Sequence, residues 1–561
     1  MAGKIIDENY YDFIVDNTLG NINETDDTND SITYLNEKHL MLHVYNDREE
    51  LCGLGQNTYS RFPSLFTINS VVSIEKSGIG EVQRNPFLGL YGQGVLVGVI
   101  DTGIDYMHKA FLNSDGTTRI KYIWDQTIED GPVPQNFTFG TEYTGVQINR
   151  ALESGNPLNE VKTNDVNGHG TAVASIIAGS RDNIANFTGV VPESDFVIVK
   201  VKRAKKNLYR IFCVPDDKLC FQESDIILAL RYIISKARVL QRPAAICLAM
   251  GTSQGGHDGL GATSSYISYL SQASGLGIVV AAGNEGNRRR HYYSRVNGNN
   301  YTENIELNVG EPDKEFAAEI WSYVPARCSV EVVAPTGETT KQIFPSISGC
   351  QKFNFIFNKS TVWVNNIIFE EETGDQLMLI RFRDATPGIW TFKVSNLDNK
   401  PFSIHSWLPA ENLISDETFF IKSNPYTTIT SPGNAIIPLT VTAYNPLNDS
   451  FYLESGRGYT RIGIIKPDLA APGYEIPCAR VGGGYGSMTG TGAAAAHSTG
   501  IISMVLEWAD VKGNYTSITG NDINRLLIRG AVRKENVMYP NQEWGYGQIN
   551  VNQFFQNLGL F

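Results

Sequence analysis

The chain has 561 residues, 42% hydrophobic and 19% charged, the proportions of an ordinary globular protein, and it is longer than one hydrophobic core sustains, so about three folding units are expected. Its net charge of −13 and isoelectric point near 5.2 argue against a nucleic-acid or anionic-membrane partner, because both require positive surface potential. No stretch approaches the roughly 18 apolar residues of a membrane-spanning helix, and MAGKIIDENYYDFIVDN at the start lacks the basic and apolar regions of a secretory signal, which points to the cytoplasm.

Residues 1 to about 70 are strongly acidic, with strand-like YYDFIV and HLMLHVY separated by the polar loop NETDDTNDS; a small α/β unit is expected. The run Val95 to Ile100, VLVGVI, is continuously apolar and β-branched, as a parallel strand covered on both faces must be. It ends at Asp101-Thr-Gly, at the carboxyl end of a strand, where open α/β sheets place their chemistry. Further strands are predicted at Phe196 to Val201, Ala245 to Met250 and Ile278 to Ala282, with helices at Ser224 to Arg238 and Ser264 to Ala273. That alternation means crossover units and a parallel sheet, so this part is α/β.

From about Asn299 to Asn424 helical periodicity gives way to short alternating strands, FNFIF, TVWVNNIIF, LMLIRF and IWTFKV, the pattern of an all-β insertion of sandwich or jelly-roll type. NAIIPLTVTAYN (434–445) then resumes a buried strand, and Gly490 to Trp508 has the alanine-rich composition of a core helix. The expected division is 1–70, 71–298, 299–424 and 425–561, with the α/β unit split by the insertion. Two basic runs, Lys200 to Lys206 and Arg288 to Arg290, read as solvated loop charge. Seven cysteines without metal-ligand spacing read as reduced structural thiols, Cys213 and Cys220 being near enough in sequence to bridge a loop; no cofactor is expected and a bound metal is left open.

Four segments carry the chemistry: VIDTGID (99–105), NGHGTAVASIIAG (167–179), AAGNEG (281–286) and TGTGAAAAHSTG (489–500). Each is weak alone, since a strand-ending Asp is usually a turn residue and a Gly-flanked His is usually structural. In this order on an α/β background they resemble the subtilisin-like serine proteases, over residues 75–298 and 425–560. The resemblance implies a subtilisin-like parallel sheet with flanking helices. It also implies that Asp101 orients His169, that His169 takes the proton of a serine attacking a peptide carbonyl, and that Asn284 donates to the oxyanion. At the position of that serine this chain has Gly492, and alanine replaces the usual proline before His497.

Without a hydroxyl, His169 has nothing to deprotonate and no acyl-enzyme forms, while a peptide can still be held by the remaining donors. Ser487, Thr489, Thr491 and Ser498 lie close in sequence, but a displacement of about 1 Å costs roughly 10²-fold in an oriented reaction. The absence of a signal, the long β insertion and the block KPDLAAPG (466–473) narrow the resemblance to the clostridial Csp germination subtilases, some of whose members have degraded triads. It implies a pseudoprotease of the spore that regulates germination by contact with another Csp protease, its substrate or a small germinant. Residues 1–70 would then be a prodomain that stays uncut and occupies the cleft as an internal ligand. The alternative is an active serine endopeptidase processing a cortex-lytic enzyme precursor, its serine engineered to Gly492 or replaced by a neighbouring hydroxyl.

Overall fold

The computed structural model describes residues 3–17, 32–45, 58–68, 77–296, 301–398 and 401–559. A nine-stranded sheet forms the centre, ordered Ser450–Phe451, Leu439–Asn445, Leu276–Ala281, Ala244–Leu248, Leu96–Asp101, Asp195–Lys200, Ile120–Asp125 and Thr141–Thr144, with Leu469–Pro472 pairing beside Leu439–Asn445. The contacts from Leu439–Asn445 through Ile120–Asp125 are all parallel. Period-two alternation explains the unbroken apolar strands: Val97 and Val99 enter the core on one face, Leu96 and Ile100 the core on the other. Helices His169–Ala178 and Thr491–Leu506 cover the first face, and Glu223–Leu240 and Ala262–Leu270 cover the second. Gly98 permits the second layer to approach, since a Cβ there would lie 2.7 Å from Ile233 Cγ2.

The stretch between the two halves folds as two antiparallel sheets, one of six strands and one of four, enclosing their own core around Trp390, Phe382 and Phe392. The six-stranded sheet begins at His291–Val296, paired with Phe402–Trp407, ahead of the expected boundary at 299. HYYSRV lacks the apolar alternation that marks the later strands, so its role is set by its partner strand. The strand expected at 353–357 is shifted to Cys350–Asn354, and its alternation is too short to fix its ends.

Of the expected α/β unit at 1–70, the described part supplies Tyr10–Asp16, Ile32–Tyr34 and His39–Tyr45, which form a three-stranded antiparallel sheet; the polar stretch 23–31 lies outside the described residues. One further strand of this unit joins the α/β body. Leu65–Ile68 pairs antiparallel with Met250–Gly251 on one side and with Phe221–Gln222 on the other, leaving Leu65, Phe66 and Thr67 buried.

The N-terminal unit, the α/β body and the insertion meet in one apolar cluster containing Phe13, Tyr59, Phe212, Trp321 and Trp407. At its polar edge the buried Glu319 carboxyl receives Tyr59 Oη (2.5 Å), Trp321 Nε1 (3.1 Å) and Gly255 N (3.0 Å). Burial raises this carboxyl from 4.5 to about 7, against the opposing pull of those three donors. The folded protein therefore keeps a proton that the unfolded chain has lost, so the stability supplied by this group is complete below pH 4.5 and disappears as pH rises to 7. In denaturant melts from pH 4 to 8, the wild type should lose stability relative to Glu319→Gln over that window, by at most about 1.4 kcal/mol per pH unit. A flat difference would mean that the carboxyl ionises as freely folded as unfolded.

Candidate active site

Asp101 ends strand Leu96–Asp101 and His169 opens helix His169–Ala178, which packs against that strand. His169 Nδ1 donates to Asp101 Oδ1 at 2.7 Å, and Thr102 N donates to the same oxygen at 2.8 Å. Both side chains are buried, at 3% and 0% exposure, so the imidazole is held in one orientation with its other nitrogen directed away from the carboxylate.

Two glycines make that approach possible. Gly168 caps the helix with φ 90°, a left-handed conformation costly for other residues, and a Cβ on Gly170 would lie 2.2 Å from Gly103 O. Asp165, which the motif reading passed over, locks the two segments together. Its Oδ1 accepts from Thr102 Oγ1 (2.9 Å) and Gly168 N (2.8 Å), and its Oδ2 accepts from Thr171 N (2.9 Å) and Thr171 Oγ1 (2.7 Å). The available signal was an Asp just before a Gly-initiated helix, the composition of a capping residue.

Helix Thr491–Leu506 packs on the His169 helix and carries Gly492 in its first turn, where backbone N–H groups have no intrahelical partner. Asn284 is brought to the same place: its Oδ1 accepts from Thr491 N (3.1 Å) and Thr491 Oγ1 (3.2 Å), which fixes the amide nitrogen on the opposite side. The carboxylate of Glu411 approaches from the exit of the β insertion. Arg288 Nη2 holds that carboxylate at 2.8 Å, and Glu411 N donates to Glu285 Oε1 at 2.7 Å. The structure thus joins Asp101 to His169 and Asn284 to the start of the helix that carries Gly492, and the two helices pack on each other.

The neighbouring hydroxyls are mostly engaged. Thr491 Oγ1 sits between Gly283 N (3.0 Å) and Asn284, Ser498 Oγ donates to Ala494 O (2.8 Å), and Thr489 Oγ1 accepts from Glu475 N (3.3 Å). Ser487 lines a cavity of about 370 Å³ with His169, Ile68, Arg480 and Met488. His497 is structural: it is fully buried, bonds Ser77 Oγ at 2.8 Å, and burial lowers it to about 3.

Two sequence expectations need correction. The basic run 200–206 is exposed only at Arg203 and Lys206: Lys202 pairs with Asp225 at 2.6 Å, and Lys205, 3% exposed, pairs with Asp12 of the N-terminal sheet at 2.8 Å. Likewise Arg290, also 3% exposed, pairs with Glu285 (3.0 Å) and Asp416 (2.9 Å), so these charges fasten units together. Both carboxylate partners of the Lys run and Asp416 are remote in sequence, which hid the pairing. Cys213 and Cys220 form no bridge, both carrying free thiols which burial raises to about 11 and about 12, whereas Cys350 is disulfide-bonded, against the expectation of reduced thiols. No helix among the described residues is long and apolar enough to cross a membrane.

The geometry agrees with known proteins. The Clostridium perfringens CspB protease superposes with a TM-score of 0.76 at 30% identity, covering 86% of this chain and 96% of that one. Subtilisin-like protease SBT1.9 of Arabidopsis thaliana is 25% identical over 458 residues, 74% of this chain and 57% of its own length. C5a peptidase of Streptococcus pyogenes serotype M18 is 22% identical over 487 residues, 81% of this chain and 39% of its own. The chain therefore spans less than two thirds of these curated relatives. The subtilase family pattern matches residues 92–352 and 416–547, which include Asp101, His169, Asn284 and Gly492. With its parallel α/β sheet and flanking helices, the chain belongs to the subtilase family.

Proposed function

We propose that this chain is a subtilisin-like pseudoprotease of the spore, most like the degenerate Csp member CspC, that regulates germination by binding another Csp protease, that protease's substrate or a small germinant. One observation carries the reading: the first turn of helix Thr491–Leu506 presents Gly492 where the family presents its nucleophile, beside an Asp101–His169 pair at 2.7 Å that is otherwise fit for proton transfer. The engagement of Thr491, Ser498 and Thr489 supports it, because none of these hydroxyls is disposed to take over. Residues 1–70 act as a retained prodomain. The register supports this, since Ile68 lies opposite Met250 and lines the His169 cavity, so the chain runs through the substrate slot as a peptide would.

The purified chain should stay intact at 61.9 kDa by mass spectrometry, and a serine-directed phosphonate probe should leave residues 487–498 unmodified beside a labelled subtilisin control. Spontaneous appearance of a fragment beginning between about residues 60 and 80, or a phosphonate adduct on Ser487, would instead identify an endopeptidase. The segment where such a cut would fall, just beyond Ile68, lies outside the described residues.

A further inference from the structure

On the sheet face away from His169, a cavity of about 350 Å³ lies between Tyr34 and Asn36 of the N-terminal unit, the loop around Phe137, and helices Glu223–Leu240 and Ala262–Leu270. We propose that it is a binding site for a small organic anion, a flat apolar body bearing one carboxylate. Its volume falls within the roughly 300–1,000 Å³ range of small-molecule sites. Its walls are aromatic, from Tyr34, Phe137, Tyr266 and Tyr269, and its two cationic donors, Arg231 and Arg238, outnumber its one carboxylate, Glu37.

The donor excess points to the charge of the ligand. Arg231 is 8% exposed, and its guanidinium lies 4.9 Å from the Tyr34 ring and 5.1 Å from the Phe137 ring. Its hydrogen bonds go to two carbonyls, Tyr34 O at 2.5 Å and Asn136 O at 3.4 Å, and neither it nor Arg238 forms an ion pair among the described residues. Arg238 stands two helical turns further along the same helix and lines the same cavity. Glu37, the acidic side chain of the lining, is exposed at the rim and bridges to neither arginine.

Asn36 supplies an independent sign. It is 2% exposed, and its Oδ1 is committed to Lys38 N (2.9 Å), His39 N (3.0 Å) and His39 Nδ1 (3.2 Å), which leaves the buried amide Nδ2 without a partner. Buried donors of this kind are normally satisfied. A carboxylate between Asn36 Nδ2 and the two guanidiniums would accept from all three, with its apolar body against the rings. Because the walls come from both the N-terminal unit and the α/β body, an occupant would also strengthen the docking of one on the other.

Calorimetric titration of the full chain with indole-3-acetate, indole-3-acetamide and tryptamine tests the assignment. Indole-3-acetate should bind about tenfold or more tighter than the isosteric amide, and tryptamine should not bind. Arg238→Gln, at an exposed position, should bring the acetate to the affinity of the amide without moving the thermal midpoint of the free protein, and Tyr269→Ala should weaken both. Equal affinity for acetate and amide, no acetate binding at millimolar concentration, or unchanged acetate affinity in Arg238→Gln would each overturn it.

Discussion

Gly492→Ser should give a chain that cuts itself immediately past Ile68. The backbone conformation imposes no obstacle, because Gly492 sits inside helix Thr491–Leu506 without a positive φ. The base is already oriented by Asp101 at 2.7 Å. Removing the nucleophile of subtilisin costs about 2 × 10⁶ in kcat, so restoring it offers a gain of several orders of magnitude even where alignment is imperfect. If residues 1–70 are a retained prodomain, the substrate is in place as well, since Leu65–Ile68 is held as a strand between Met250–Gly251 and Phe221–Gln222. Mass spectrometry should find a new amino terminus shortly after residue 68, and adding His169→Ala should abolish it. An uncut Gly492→Ser protein would mean that the missing oxygen is not the only defect.

Local signals account for what the sequence revealed of this fold and site. Strand Leu96–Asp101 declares itself by an apolar run, and the four chemical segments each lie within a few residues of a glycine turn or helix start. What was hidden depends on contacts between residues far apart. Asp165 organises His169 through Thr102 and Thr171, and its place before a Gly-initiated helix suggests a cap but not a side chain that accepts four hydrogen bonds from two segments. Arg288 and Arg290 look like surface charge until Asp416 and Glu411, more than a hundred residues later, are folded against them. Strand His291–Val296 escaped for the same reason, because its pairing with Phe402–Trp407 supplies the order that its own composition lacks.

Lys205→Met should loosen the N-terminal unit from the body while leaving the central sheet intact. All three protons of the Lys205 ammonium are in use, toward Asp12 Oδ1 (2.8 Å), Lys4 O (3.1 Å) and Tyr10 O (3.1 Å). Asp12 is fully buried and also accepts from His43 Nδ1 (2.7 Å) and Gln222 Nε2 (2.8 Å). Burial alone would raise its carboxyl, but the His43 hydrogen bond and the Lys205 charge outweigh it and hold it below 3.8. Its contribution is therefore present above pH 3.8 and is lost as pH falls through the depressed value. Taking away the cation strands a buried carboxylate, which costs about 3–5 kcal/mol. Hydrogen exchange in Tyr10–Asp16 and His39–Tyr45 should then rise well before exchange in Leu96–Asp101 does. The pH response should also shrink, because Asp12 keeps the His43 hydrogen bond and the Lys202 charge but loses the Lys205 charge that helped hold its carboxyl down. Asp12→Asn combined with Lys205→Met should recover part of the loss, because no unpaired charge remains. If the double variant is no better than the single one, the lysine acts through packing of its stem and not through the charge of Asp12.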